Sequence, residues 1–346
     1  MPTPLTVRQE FASWLRSKRD EIIADSGDED FQESLEILGL DDRSLARFAT
    51  AENVLVSLPH ASPNVFFPRV GVSWYVRHLQ QADDSAFHLR VVLTHVNFSD
   101  LGWRPYAWWY LDTEGALRRE TLFTRNKKAK HVVVASQGPL QSVPNSAGNV
   151  DRKAARLAKS GINRAISYML LMATVEESAG LSVSGSTLYV PLNLVVEFFR
   201  DRRLGPGSDS HQRWADALLE SSPQARSLSP SGELAASEAP GTAFVLDNSS
   251  NIALLSLLSC TGIVGGAKMA GYWHEVGDRV TAADRAAAIA VALPSLVRLP
   301  DGIDYLRPVP PSPRLARELE AAGIGYSQGM ALAEHGRFAE RIDPFN

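Results

Sequence analysis

Three carboxylates, Asp112, Glu114 and Glu120, come nearest to a catalytic set in this sequence, because they lie close together beside a run of Arg and Lys. A metal-dependent nuclease uses carboxylates of this kind to hold Mg²⁺. Such sites usually add a Glu-x-Lys or Asp-x-Lys on the same sheet. The nearby Asp151-Arg-Lys153 is instead predicted to begin a helix. A nuclease is therefore an alternative interpretation and not the leading one.

Other motifs that resemble reactive sites lack an essential member. His274-Glu275 begins like a zinc-protease helix, but Asp278 stands where the second histidine is needed. The segment 262–268 is rich in glycine but lacks the GK[ST] ending of a phosphate loop, and its spacing favours close helix packing. His95 is predicted on an apolar strand face, which is typical of a core histidine. We therefore predict no catalytic residue, metal ligand or cofactor, and the protein is more consistent with a non-enzyme.

The strongest functional signal is a basic segment, residues 118–164, which holds eleven Lys and Arg against two acids. Such side chains neutralise phosphates with release of counterions. Aromatic residues just upstream, in 103–110, offer surfaces on which bases stack. The other interpretation is a solvated or protein-facing surface with the aromatics in the core. The predicted nucleic-acid-binding residues are Arg118, Arg119, Arg125, Lys127, Lys128, Lys130, Arg152, Lys153, Arg156 and Lys159.

An acidic segment opposes the basic one. Residues 20–42 carry ten Asp and Glu and no Lys or Arg, whereas the whole chain has a net charge of −4. These acids form a solvated helical face, or they dock against the basic segment. Docking within one subunit would neutralise the surface, and docking between neighbours would give a head-to-tail, self-assembling contact.

The composition places the chain among globular proteins. It has 346 residues, of which 45% are hydrophobic and 21% charged, and these proportions exclude a disordered chain. Its single cysteine, Cys260, excludes an internal disulfide and lies in an apolar run that predicts a buried, inert thiol. The apolar window 252–267 is shorter than a membrane span, so we read it as a core helix or helix–turn. We expect no secretory signal and no membrane partner.

The elements that must position these residues are predicted from hydrophobic spacing. Residues 6–50 are predicted to be helical, and strands are predicted at 53–58, 87–97 and 131–135. The segments 106–111 and 116–124 flank a hairpin-like turn. Because the predicted connections between strands are too short for crossover helices, the sheet is predicted to be antiparallel. A long helix over 149–179 and a mainly helical C-terminal region complete an α+β fold.

The predicted organisation has five parts. They are a helical N-terminal segment (1–50), an α+β core (51–220), a linker or mobile loop (221–243), a helical region packed on the core (244–306), and a proline tether with a C-terminal arm (307–346). The leading hypothesis is a self-assembling structural protein of the viral coat or nucleocapsid type. Its partners would be copies of itself and nucleic acid, RNA being one candidate, in the cytoplasm or a virion. The alternatives are the nuclease and a cytoplasmic adaptor or regulator.

Overall fold

The computed structural model describes residues 6–26, 35–57, 70–92, 95–97, 107–111, 117–121, 131–133, 164–178, 180–201, 209–222, 226–228, 234–235, 244–245 and 247–299. The helices in these ranges include α1 (Val7–Ser26), α2 (Asp42–Thr50), α3 (Val70–Ala82), α4 (Arg164–Ser178), α5 (Leu192–Asp201), α6 (Asp209–Ser221), α7 (Asn248–Leu255) and α8 (Ala267–Ala287). The strands are β1 (Asn53–Ser57), β2 (Ala86–Val92), β3 (His95–Asn97), β4 (Ala107–Leu111), β5 (Leu117–Thr121), β6 (His131–Val133), β7 (Thr187–Pro191), β8 (Arg226–Leu228), β9 (Leu234–Ala235), β10 (Phe244–Val245), β11 (Gly262–Gly265) and β12 (Ser295–Arg298).

The main sheet has five strands in the order β12-β11-β1-β2-β7, and every pair in it is parallel. The prediction of an α+β fold with an antiparallel sheet is therefore wrong, and the architecture is α/β. The difference arises at the connection between β1 and β2, where α3, which is absent from the predicted elements, supplies a crossover. All seven residues of β2 are buried, which is typical of a strand in a parallel sheet covered on both faces.

Antiparallel pairing occurs in smaller ladders. Strands β4 and β5 pair antiparallel, which confirms the predicted hairpin, and β3 pairs with β6. Strand β8 pairs antiparallel with β9 and β10. The predicted strands at 53–58 and 131–135 are confirmed as β1 and β6. The local hairpin signal was therefore correct, although it does not describe the main sheet.

Helices cover both faces of the sheet. Because side chains alternate along a strand, Phe87 and His88 of β2 point to opposite faces. The Phe87 ring lies 5.5 Å from that of Phe48 in α2, within an aromatic group that continues to Phe11 of α1 and Phe198 of α5. On the opposite face, α3 packs against β2 and α4 supplies the partner of a buried β2 side chain. The sheet is therefore doubly wound.

Residues 247–299 are helical over more than half of their length, as predicted, but they also contain β11 and β12, which extend the main sheet. The window 252–267, read as a core helix or helix–turn, holds the end of α7, a 3-10 turn at Ser256–Leu258 and β11. A Cβ on Gly262 would lie 2.8 Å from Val297 Cγ2 and 3.2 Å from Leu55 Cδ2. The expectation of close helix packing at this glycine is therefore wrong, because Gly262 packs tightly against the neighbouring strands.

The helix predictions are confirmed in part. The helices α1 and α2 lie inside the predicted helical segment, and the Asp41 side chain caps α2 by accepting a hydrogen bond from the Ser44 backbone N–H. Of the helix predicted over 149–179, α4 forms the second half and residues 149–163 lie outside the described residues. Among the described helices, none has the length and apolar character needed to cross a bilayer.

Candidate functional site at the carboxyl edge of the sheet

The order of the five parallel strands reverses at one point. From β1, the next two strands of this sheet, β2 and β7, extend it to one side, and β11 and β12 extend it to the other. In open parallel sheets of this kind, ligands bind outside the carboxyl ends of the strands where the order reverses. That point lies between β1 and β11, whose last residues are Ser57 and Gly265.

The start of α8 adjoins this point. Gly266 occupies its N-cap position with φ −79° and ψ −178°, and no side chain in the described part of the chain caps the helix. The first backbone N–H groups of a helix have no partner within it, and they carry the positive end of the helix dipole. At Gly265, an added Cβ would lie 2.4 Å from the Met269 sulfur. The Gly-Gly turn therefore lets the chain leave β11 and enter a 21-residue helix with its first turn uncapped.

A hydroxyl–imidazole pair lies beneath the same edge. Ser57 Oγ is 2.6 Å from His88 Nε2, and the two side chains are 0% and 1% exposed. Burial, helped by the positive charge of Arg90, lowers the pKa of His88 to about 3, so the imidazole is neutral. No described residue forms a hydrogen bond with His88 Nδ1. Serine nucleophiles are activated by such pairs, but within the described ranges no third group orients the imidazole.

A buried ion pair supports the strand next to β1. Arg90 Nη2 donates to Glu176 Oε1 at 2.8 Å, and Arg90 Nε donates to Glu176 Oε2 at 3.3 Å. The Tyr189 hydroxyl donates to Glu176 Oε2 at 2.7 Å. Burial and the Glu176 charge raise the pKa of Tyr189, which keeps the phenol protonated. Because Arg90 lies opposite Ser57 in the ladder, this network joins β2, β7 and α4 directly beside the Ser57–His88 pair.

The predicted nucleic-acid-binding residues fall mostly outside the described part of the chain. Arg118 and Arg119 lie on β5, opposite Tyr110 and Trp109 of β4 in the backbone register. Binding of nucleic acid by this segment stays a prediction. The residues of the set that lie outside the described ranges are Arg125, Lys127, Lys128, Lys130, Arg152, Lys153, Arg156 and Lys159.

The proposed nuclease carboxylates also lie mostly outside the described residues. Glu120 lies on β5 opposite Trp108, and Asp112 and Glu114 lie outside the described residues. His95 lies on β3, opposite Val133 of β6. The nuclease alternative therefore stays a prediction.

Part of the acidic segment pairs within the chain. Asp42 Oδ1 accepts from Arg16 Nε at 2.8 Å and from Arg19 Nη1 at 2.9 Å, and these hydrogen bonds lower the pKa of Asp42. Glu21 accepts from Lys18 at 3.0 Å. These acids neutralise bases of α1, whereas residues 27–34 lie outside the described residues. Docking of the acidic segment against residues 118–164 stays a prediction.

The buried polar residues at this edge were not among the predicted site residues. Alternation along the strand predicts that His88 and Arg90 share one face, but it does not indicate that this face is covered. Ser57, Glu176 and Tyr189 carried no signal of their own. The available signal was the pair of polar residues at alternate positions of an otherwise apolar strand. By contrast, the buried state of Cys260 is confirmed, and burial raises its thiol pKa to about 12.

Among the residues whose placement is described, no three His, Cys, Asp or Glu side chains are close enough to hold a metal ion. Comparison with known proteins adds no identity: no protein-family model matches this chain, and the search among curated proteins found no match.

Proposed function

We propose that this protein binds a nucleotide or another phosphate-bearing small molecule across the carboxyl edge of its parallel sheet. The observation that carries the proposal is the reversal of strand order between β1 and β11, where the phosphate would lie against the start of α8. The strand order is a fold-level argument, and sheets of this class support many functions. The proposal therefore also rests on features of this particular edge.

Two features of the edge suit a phosphate. The Met269 N–H donates to the Gly266 carbonyl. No carboxylate or hydroxyl of the described residues caps the first turn of α8 and competes with a ligand for the preceding N–H groups. Phosphates bind such helix starts because the donors converge and the dipole favours negative charge. The second feature is position, because α8 begins directly after β11, at the point where the strand order reverses.

The buried residues below the edge supply rigidity and not a reaction. The Ser57–His88 pair is fully buried and its imidazole is neutral. On the neighbouring strand β2, Arg90 forms a buried salt bridge with Glu176 of α4. A floor of this kind holds the ends of β1 and β2 in a fixed position. The proposal accordingly assigns binding to this edge and no chemical step.

A substitution at Gly266 tests the proposal. Asp at this N-cap position would accept from the free N–H groups and repel phosphate, while it should preserve or raise stability because Asp is a favoured N-cap. We expect Gly266→Asp to weaken binding of ATP, GTP or NAD⁺ at least about tenfold by titration calorimetry. The matched control, Gly266→Ala, leaves the N–H groups free and should bind normally. Absence of binding by all three nucleotides, or equal binding by Gly266→Asp, would contradict the proposal.

A second proposal rests on charge alone. The basic excess of residues 118–164 supports contact with nucleic acid, in a self-assembling protein of coat or nucleocapsid type. It predicts a large species by light scattering and a co-purifying absorbance at 260 nm that high salt removes. Reversing the charge at Lys127, Lys128 and Lys130 to Glu should remove that absorbance. A monomer free of nucleic acid would refute this proposal. Cleavage of nucleic acid that depends on Mg²⁺ and is lost in Asp112→Ala would instead favour the nuclease alternative.

A further inference from the structure

The opposite, amino edge of the sheet contains a recess with a volume of about 260 Å³. Ala86 begins β2 and Ser186 immediately precedes β7, so the recess lies where these two strands start. Its outer walls come from the C-terminal half of α2, through Arg47, and the last two turns of α3, through Arg77 and Gln80. Since β2 spans about 20 Å at roughly 3.3 Å per residue, the recess is remote from the carboxyl edge.

Gln80 is the most informative residue of the recess. Its side chain is 5% exposed, and its Nε2 donates to the Ser186 backbone carbonyl at 2.9 Å. The Ser186 carbonyl also accepts from the His88 backbone N–H at 2.8 Å. Because this carbonyl is an acceptor, the Gln80 amide cannot rotate to place its own oxygen against it. Among the described residues, none donates a hydrogen bond to the buried Gln80 Oε1. A buried acceptor without a partner is costly, so a donor that reached this atom from the recess would be favoured.

The recess also offers positive charge. Arg77 is half-buried and has no hydrogen-bond or ion-pair partner in the described part of the chain. Arg47 is already engaged, because its Nη1 donates to Ser186 Oγ at 2.8 Å and its Nη2 donates to the Asp84 backbone carbonyl. The guanidinium of Arg77 therefore presents five donors in a fork that matches a carboxylate.

A negative charge lines the same recess. The Asp84 side chain is exposed and borders the recess together with Arg77 and Gln80. A simple oxyanion would face this carboxylate and would leave Gln80 Oε1 without a donor. A ligand that carries both a carboxylate and an ammonium group satisfies both sides. The volume, below the ~300–1,000 Å³ of drug-sized pockets, restricts the ligand to a small molecule.

We infer that this recess is a binding site for a small zwitterion of the amino-acid class. The ligand carboxylate would pair with Arg77, and its ammonium group would donate to Gln80 Oε1 and the Asp84 carboxylate. The site is independent of the nucleotide proposal, since it shares no residue with the carboxyl edge. It would act as a second ligand site that joins α2, α3 and the starts of β2 and β7.

Calorimetric titration of the full chain tests the inference. The probes are the common free amino acids one at a time, with propionate as a carboxylate without an amine, ethylamine as an amine without a carboxylate, and inorganic phosphate. We expect at least one amino acid to bind, and the three comparison probes to bind at least tenfold more weakly. Binding of phosphate without any amino acid would overturn the zwitterion assignment, and so would no binding by any probe.

Variants identify the site. Arg77→Gln and Asp84→Asn should each weaken the amino acid at least about tenfold, the loss of one charge-assisted hydrogen bond. Gln80→Met keeps the side-chain length but removes the acceptor, and it should also weaken binding. The matched control is Arg285→Gln on α8, an exposed arginine, which should leave binding unchanged. Amino-acid binding that Arg77→Gln and Asp84→Asn both leave intact would show that the ligand lies elsewhere.

Discussion

Removing either member of the Arg90–Glu176 pair should strongly destabilise the fold. Their side chains are 2% and 5% exposed and are joined by a 2.8 Å contact. Arg90→Met leaves the Glu176 carboxylate buried without its cation, and Glu176→Met leaves the guanidinium buried without its anion. Breaking a buried pair in this way costs about 3–5 kcal/mol, mainly because an uncompensated charge remains in a low-dielectric interior.

The double variant separates the charge from the packing. Arg90→Met with Glu176→Met removes both charges together, so its cost should fall well below the sum of the two single costs. The Tyr189 hydroxyl loses its 2.7 Å acceptor, which leaves a residual cost of about 1–3 kcal/mol. We therefore expect a coupling energy of at least about 2 kcal/mol between the two sites.

Urea unfolding, followed by tryptophan fluorescence, measures these free energies, with the slope m as a check that the unfolded state is unchanged. An exposed pair supplies the control. Arg16 and Asp42 are also 2.8 Å apart, but their side chains are 42% and 70% exposed, so Arg16→Met should cost less than about 1 kcal/mol. Single variants at Arg90 and Glu176 that each cost less than 1 kcal/mol, or costs that simply add in the double variant, would refute the reasoning.

Three further predictions follow from buried or constrained residues. The pKa of His88 falls from 6.5 to about 3 on folding, so the unfolded state binds more protons at acidic pH. This group should therefore lower the free energy of unfolding by about 2–3 kcal/mol from pH 7 to pH 4.5. Urea midpoints should show a smaller drop in His88→Gln than in the wild type, and an equal drop would count against a buried neutral imidazole. Gly39 has φ +73°, and a Cβ there would lie 2.2 Å from the Thr187 carbonyl oxygen, so Gly39→Ala should destabilise the fold by more than about 2 kcal/mol. Gly271 lies in open space on α8, so Gly271→Ala should stabilise the fold by about 1 kcal/mol. Equal melting temperatures of the two variants would disprove this contrast. The thiol of Cys260, whose pKa rises to about 12, should resist a disulfide reagent at mildly alkaline pH until urea unfolds the chain, and rapid labelling of the folded protein would show that it is accessible.

The elements that were predicted correctly are those defined by nearby residues. Helices α1 and α2 follow from apolar residues at helical spacing, and α2 begins where Asp41 can cap it. The β4–β5 hairpin follows from two alternating segments around a short turn. In each case the stabilising contacts join residues a few positions apart, so the pattern along the chain is enough.

The direction of the main sheet depends on contacts that a local pattern does not contain. Thr261 donates its backbone N–H to the Val54 carbonyl, across more than two hundred residues. The window that contains β11 is apolar without a clear period, and such windows suit a buried helix and a buried parallel strand equally. Only the pairing of β11 with β1 decides that it is a strand, and this pairing also creates the reversal of strand order.

The amino-acid sequence by itself determined the opposed charges of residues 20–42 and 118–164, the local helices and hairpin, and the burial of Cys260. Tertiary structure alone decided that the sheet is parallel, that Arg90 and Glu176 form a buried pair across 86 residues, and that Gln80 faces a recess. The physical reason is that charge and periodicity are properties of neighbouring residues. Burial and hydrogen-bond partners instead depend on which distant elements cover a side chain, so polar residues on a strand reveal their role only when the covering helix is known.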